Sequence, residues 1–387
     1  MEWGLTSNLT KLSASDIIVG SPLAWPVYDS NGTFLVKKGF IIKSLAQVER
    51  LIARGAYGDQ SDLSHSKPTE TKEQEVKKPK DISPFKILED VTSQLAIVLA
   101  SSEDKESNFT EEVMSLVENI QRACDRDAHA ALASLFVLEG SSYPIKHSVD
   151  VAVISDVMAK SSSILREERK SIVAAALTMN IAMIELQEQL YRQESPLTDE
   201  QKEAIQHHPK QSVIMLRKAE VDDKLWLKCV LAHHETITGT GYPNKLKGSQ
   251  YPQATQFIAL ADQYCARLSP RSYRDPLLHK GILRDILLDK GQTVEPEIAA
   301  LFIKELGFFP PGLIVQLANT EIGVVTKRGE RPDSPIVHAC LMPQSGNYAQ
   351  AVMRNTKLDS YKIRKIMSSD DDYITFNRRT IWQFNEE

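Results

Sequence analysis

A change of hydrophobic period near residue 310 limits the fold more than any other feature of this sequence. From Pro84 to about Leu306, apolar residues recur at helical spacing. Ile87, Leu88, Val91, Leu95, Val98 and Leu99 form one such set, and Val113, Leu116, Val117 and Ile120 another. Further helices are predicted at about 127–138, 145–160, 165–190, 198–219, 221–236, 253–269, 276–289 and 296–306. Ten helices with short connections make an all-α domain. After Pro310-Pro311-Gly312 the period becomes that of strands: Leu313 to Leu317, Ile322 to Lys327 and Pro335 to Leu341. The tail after about 356 is polar and carries no clear period.

The remaining segments complete a mainly α architecture. Residues 1–60 read as a small α/β module. Ile17-Ile18-Val19 and Leu23 to Tyr28 are predicted strands, and Asn31-Gly32 supplies a tight turn before Thr33 to Val36. Ser44 can cap a short helix through Arg54, stopped by Gly55 and Gly58. Residues 61–83 are rich in Lys and Glu, with Pro68 and Pro79, and read as a flexible charged linker. The helical domain then spans 84–310, and a β-rich extension spans 311–387. No internal repeat is visible.

Composition narrows the class of partner. Lys plus Arg is 46 and Asp plus Glu is 51, a net charge of −5 that argues against a nucleic-acid polymer. The four cysteines, at 124, 229, 265 and 340, are too scattered for a metal or redox pair and point to a reducing compartment. The N-terminus lacks a positive region followed by an apolar core. The longest apolar stretch, Ile172 to Ile184, is interrupted by Thr178 and Asn180 and is too short to span a membrane. A cytoplasmic protein is expected.

The histidines say more. Four of the nine come as adjacent pairs, His207-His208 and His233-His234. His147 lies in an amphipathic stretch, and His207-His208-Pro209 is expected to end or kink a helix. Asp262 sits in Ile258-Ala259-Leu260-Ala261-Asp262, where a buried carboxylate is costly unless paired or bound to a cation. Imidazoles from separate helices converging on it would make a site for zinc, iron or manganese. Each histidine could equally be a satisfied core residue. Thr238-Gly239-Thr240-Gly241-Tyr242-Pro243 follows the second pair, with glycines that allow close backbone approach and a tyrosine that can stack. An ordinary tight turn has the same composition. Arg271 and Arg274 place two guanidinium groups three residues apart, a pattern suited to phosphate or to a solvated surface.

Together these residues resemble the HD-GYP family. His233-His234-Glu235, Gly239 and Gly241-Tyr242-Pro243 look like its HHE…GxGYP signature, and His208-Pro209 like its His-Pro element. Ala259-Leu260-Ala261-Asp262, then Arg271-Ser272-Tyr273-Arg274, resembles the segment with its last metal-ligating aspartate and basic motif. His147-Ser148 resembles its first histidine. The likeness covers about 140–310. It implies a helical HD-superfamily domain, whose active members hydrolyse cyclic di-GMP to pGpG or GMP with two or three metal ions that activate water. Carried over by position, His147, His208, His233, His234 and Asp262 match metal ligands. Gly241, Tyr242, Pro243, Arg271 and Arg274 match residues near the dinucleotide.

The central motif departs from the family pattern, Leu-His-Asp-Ile-Gly-Lys-Ile. Here it reads Thr178-Met179-Asn180-Ile181-Ala182-Met183-Ile184, so Met179, Asn180 and Met183 stand for the histidine, the bridging aspartate and the lysine. Ser212, Thr238 and Cys265 depart as well. A thioether is a poor ligand for hard divalent ions, and a neutral amide cannot bridge two cations as a carboxylate does. No catalytic pair is expected, while His208, His233 and His234 could hold one divalent ion (iron, manganese or zinc) or none. The resemblance thus implies a cyclic di-GMP-binding or protein-interaction regulator with lost or much reduced phosphodiesterase activity. The alternative is an active metal-dependent phosphodiesterase. A signalling protein partner and a homodimer are further expectations from it.

Overall fold

The computed structural model describes residues 9–12, 17, 23, 25–40, 42, 45–53, 55–59, 82–268, 279–289, 291–342, 346–367, 378–382 and 384. The chain divides into two compact units, Met1–Pro79 and Lys80–Glu387.

In the first unit, β1 (Leu9–Lys11), β2 (Val27–Tyr28), β3 (Phe34–Val36) and β4 (Tyr57–Asp59) form a sheet in the order β1-β4-β2-β3, with α1 (Leu45–Ala53) before its last strand. Asp29 closes the β2–β3 turn: its carboxylate accepts from the Asn31 and Thr33 amides, and Gly32 takes φ +80. The strand expected from Leu23 is confined to Val27–Tyr28, and Ile17 lies in a bend. Ile18, Val19, Ser44 and nearly all of 61–83 fall outside the described residues.

Among the described residues, the second unit opens with a run of eleven α-helices: α2 (Pro84–Ala100), α3 (Phe109–Arg126), α4 (Ala128–Val137), α5 (Tyr143–Ser161), α6 (Arg166–Thr178), α7 (Ile184–Arg192), α8 (Asp199–Lys218), α9 (Lys224–Ala232), α10 (Gln253–Leu268), α11 (His279–Leu288) and α12 (Pro296–Leu306). Local chemistry sets their starts. Ser83 caps α2 ahead of Pro84, Asp127 accepts from the His129 and Ala130 amides, and Thr198 with Gln201 forms a reciprocal capping box. Asp223 caps α9 through Leu225 and Trp226 while its other oxygen accepts from Ser171 at 2.6 Å.

Helix α5 is buried on nearly every side and runs through the middle of the bundle. It packs against α2, α3, α4, α6, α7, α10 and α12. This burial fixes His147 deep in the protein. Five antiparallel strands follow: β5 (Ile314–Leu317), β6 (Ile322–Lys327), β7 (Ile336–Met342), β8 (Gly346–Asn355) and β9 (Ile363–Ile366), in the order β8-β7-β6-β5-β9. A short α13 (Arg378–Trp382) returns to the bundle, where Trp382 meets Phe85 edge to face at 5.0 Å. The sheet therefore shares one unit with the helices. The polar tail hid β9 because only Ile363 and Ile366 of its four residues are even partly buried.

One predicted helix is two. The segment 165–190 breaks after Thr178 into a single 3₁₀ turn, Ile181–Met183, before α7 begins. Apolar spacing continues through the break, so periodicity cannot show it. Tertiary partners hold it instead. Trp226 Nε1 on α9 donates to the Thr178 hydroxyl at 2.7 Å, and the Ala182 amide donates to Ser212 Oγ on α8 at 3.3 Å. Helix α8, in contrast, passes through Pro209 without ending.

Candidate metal centre

Pro209 explains how His208 is aimed. Proline has no N–H, so the Ile205 carbonyl one turn earlier loses its helical donor. His208 Nδ1 takes that place, 2.6 Å from Ile205 O. A carbonyl only accepts, so the proton sits on Nδ1 and Nε2 keeps its lone pair. His233, at the C-cap of α9, does the same: its Nδ1 donates to Val230 O at 2.7 Å.

The two Nε2 atoms then face each other 3.1 Å apart with both rings at most 2% exposed. Two opposed lone pairs at that distance repel unless something positive lies near both. A proton is disfavoured there. Burial, reinforced by His233, pulls the His208 pKa down to about 3, and burial lowers His233 as well. A metal ion fits the donor set. His234 completes it: one nitrogen from each of His208, His233 and His234 lies within 4.8 Å of the others.

The helix predicted over 221–236 ends at Ala232, so His233 and His234 occupy a turn closed by Glu235 N to Ala232 O at 2.9 Å. This turn brings both adjacent rings to one side, which a continuing helix would not. His234 is the partly open member, with 26% of its side chain exposed. Tyr242 stacks on it at 4.7 Å and 29°.

The Tyr242 loop is anchored by a residue whose role sequence reasoning missed. Glu235 is 1% exposed, and its two carboxylate oxygens accept from the Asn244 amide at 2.6 Å and the Leu246 amide at 2.9 Å. Tyr242 N also donates to His234 O at 3.1 Å. Gly241 is required by space: a Cβ there would lie 2.5 Å from Glu235 Cα and from His234 O. Its position inside the His-His-Glu signature was the only sequence sign of Glu235.

His147 and Asp262 are brought together on the other side. His147 Nε2 lies 2.7 Å from Asp262 Oδ1, and both are buried. Asp262 Oδ2 is 3.9 Å from His234 Nδ1, so the carboxylate links the pair to the histidine cluster. Burial works against its charge, yet the His147 hydrogen bond and the surrounding imidazoles hold its pKa well below the carboxylate range. His207 stands apart: it is exposed, its Nδ1 2.8 Å from Glu203 O.

The residues expected to depart from the resembled motif lie in different surroundings. Met179 is fully buried within the main hydrophobic core, alongside Ile181 and Leu177. Asn180 is 5% exposed at the break between α6 and the 3₁₀ turn, while Met183 is only partly buried. Ser212 has become the hydroxyl that accepts from Ala182. Arg271 and Arg274 lie outside the described residues.

Residues 114–298 match the HD domain family. A cyclic di-GMP phosphodiesterase of Pseudomonas aeruginosa is 26% identical over 222 residues, 57% of this chain and 53% of that one. This region is an HD-GYP family domain. A 3'3'-cGAMP-specific phosphodiesterase of Vibrio cholerae is 25% identical to the chain over 159 residues, 41% of it and 30% of the relative. The chain thus spans about half or less of these curated relatives. An "HDG"Y"P" protein structure from Bdellovibrio bacteriovorus superposes at a TM-score of 0.47 with 12% identity, covering 77% of this chain and 99% of that one. Among the described residues, no helix of the HD-GYP chain is long and apolar enough to cross a membrane.

Proposed function

We propose that this chain is a cyclic di-GMP signalling protein whose HD-GYP domain binds the dinucleotide and one divalent ion, with hydrolysis lost or much reduced. The observation that carries the reading is the fate of position 179. The family's ligand position holds a thioether buried in the hydrophobic core, whereas His208, His233 and His234 keep three nitrogens aimed at one point. Names of relatives support the ligand class: both are phosphodiesterases of cyclic dinucleotides.

When bound, a single ion at the three histidines would supply Lewis-acid polarisation of a phosphoryl oxygen. The chain's own residues do the rest. Glu235 holds the Tyr242 loop, Tyr242 offers an aromatic face beside the cluster, and Asp262 orients His147 and His234. Arg271 and Arg274 are assigned to the phosphates in this reading. Asn180 cannot place negative charge between two ions, and Met183 supplies none of the cationic charge of the family's lysine. A protein partner and a homodimer belong to the same regulatory reading.

The test is anaerobic incubation with cyclic di-GMP and manganese or iron, beside calorimetry with the same ligand. Micromolar binding without pGpG or GMP is expected. Turnover lost in His234→Ala would replace this reading with the second one, a working phosphodiesterase. That reading draws on His147, Asp262 and the three histidines being assembled side by side.

A further inference from the structure

On the β-sheet side of the second unit, a cavity of about 340 Å³ lies among His129 of α4, Lys304 of α12, Phe309, and the loop from Arg328 to Pro335 between β6 and β7. That volume is within the range of small-molecule sites. Its walls are basic. Lys304, Arg328 and Arg331 line it against one acid, Glu330, which is itself paired with Lys357. Arg328 is paired with Glu305 at 2.7 Å and Arg331 with Asp333 at 2.7 Å. Lys304 has no ion-pair partner among the described residues, and Lys327 adds charge close by. The lowered pKa of His129 reports the same field: burial is its main cause, and Arg328 and Lys327 push further in the same direction.

The wall is already built. Arg328 Nη1 donates to Lys304 O at 2.9 Å, which fixes the guanidinium plane. Among the described residues, its Nε is buried without a hydrogen-bond partner, and so is His129 Nδ1. A buried polar atom of this kind is costly unless an acceptor or donor completes it. The loop closes tightly: a Cβ at Gly329 would lie 1.7 Å from Ser334 O, and Phe308 N donates to Pro332 O at 2.8 Å. Phe309, Pro332 and Pro335 add apolar lining to the charged groups.

We infer that this cavity is a second ligand site, separate from the histidine cluster, that takes a phosphate monoester of mononucleotide size. The guanidinium and ammonium groups receive the phosphate, as bidentate arginine geometry favours. The flat ring lies on Phe309 and the prolines. The site does not depend on the cyclic di-GMP reading, since no residue is shared between them.

The test uses the full chain, titrated in separate arms with inorganic phosphate, ribose 5-phosphate and adenosine monophosphate, and followed by calorimetry and by histidine NMR signals. The expected order is monophosphate tightest, with a Kd below 1 mM, then ribose 5-phosphate, then inorganic phosphate. The His129 ring signals should move and those of His234 should not. Lys304→Gln with Arg331→Gln, both at exposed positions, should weaken the monophosphate at least tenfold while the melting temperature stays unchanged. Arg328→Gln is the less suitable variant, because it strands Glu305, which is 4% exposed. No binding at 10 mM in any arm overturns the site, as does binding that ignores the double variant or that moves His234 in place of His129. Equal affinity for inorganic phosphate and the monophosphate overturns the ring assignment.

Discussion

The two sides of the candidate site are held differently by the same fold. On one side, His208 and His233 are locked by backbone carbonyls, 2.6 Å from Ile205 O and 2.7 Å from Val230 O, with their lone pairs opposed. On the other, Met179 packs in the hydrophobic core, and His147 Nε2 meets Asp262 Oδ1 at 2.7 Å. The difference shows what preserves a ligand geometry. A ring held by main-chain carbonyls keeps its aim, because the helix and turn that supply those carbonyls are needed for the fold. A side chain without such a lock, as at Met179, lies where its apolar neighbours pack it.

The sharpest way to break this comparison is to remove one locked histidine. His233→Ala should lower metal content from about one ion per chain to below a tenth in protein purified without added metal, measured by elemental analysis. An unchanged content would place the ion elsewhere. Met179→Ala should do the reverse. It should cost about 2–5 kcal/mol in denaturant unfolding, as truncation of a buried methionine does, and leave the metal content at one. Loss of the ion in that variant would make Met179 a ligand and erase the contrast.

Gly241→Ala tests the loop that joins the two sides. The added carbon meets backbone at 2.5 Å, so Tyr242 must move. A stability loss of about 1–3 kcal/mol is expected together with weaker cyclic di-GMP binding by calorimetry. Unchanged binding would separate the loop from the ligand.

Acid should act on the locked side first. His208 has an ordinary pKa of 6.5, which the fold lowers to about 3, with His233 and His234 shifted the same way. Below 6.5 the unfolded chain therefore takes up protons that the folded chain refuses. Stability of the metal-free protein is full above about pH 7 and falls as pH drops toward 3. The slope reaches about 1.4 kcal/mol per pH unit for each such group. A melting temperature that holds steady or rises from pH 7.5 to 5 would contradict the buried neutral cluster.

The smallest effect is expected at the link between the sides. Asp262→Asn should keep one ion per chain but weaken its binding by about tenfold, because an amide orients His234 less firmly than a carboxylate does. Complete loss of the ion would make Asp262 a ligand in its own right.

Much of this arrangement was legible in the residues. The period change at 310, the helix starts near 84, 127 and 198, and the paired histidines beside a Gly-x-Gly-Tyr-Pro loop are local signals, and local chemistry produces them. The break at Met179 was not legible, because the apolar spacing runs on through it and the bonds that hold it come from Trp226 and Ser212 on other helices. The His233-His234 pair was read on a helix that ends one residue earlier. Glu235 showed only as a letter of a motif, since its partners Asn244 and Leu246 lie nine and eleven residues away.

By itself, then, the sequence determined which imidazoles and carboxylate were present and how the helices were spaced. Tertiary structure alone decided where those groups met. It gave the carbonyl freed by Pro209 to His208, set two lone pairs 3.1 Å apart, and buried Met179 among apolar neighbours. The physical reason is range. Propensity, capping and period act over a turn or two of chain, while the approach of nitrogen atoms 25 residues apart is set by how whole helices pack.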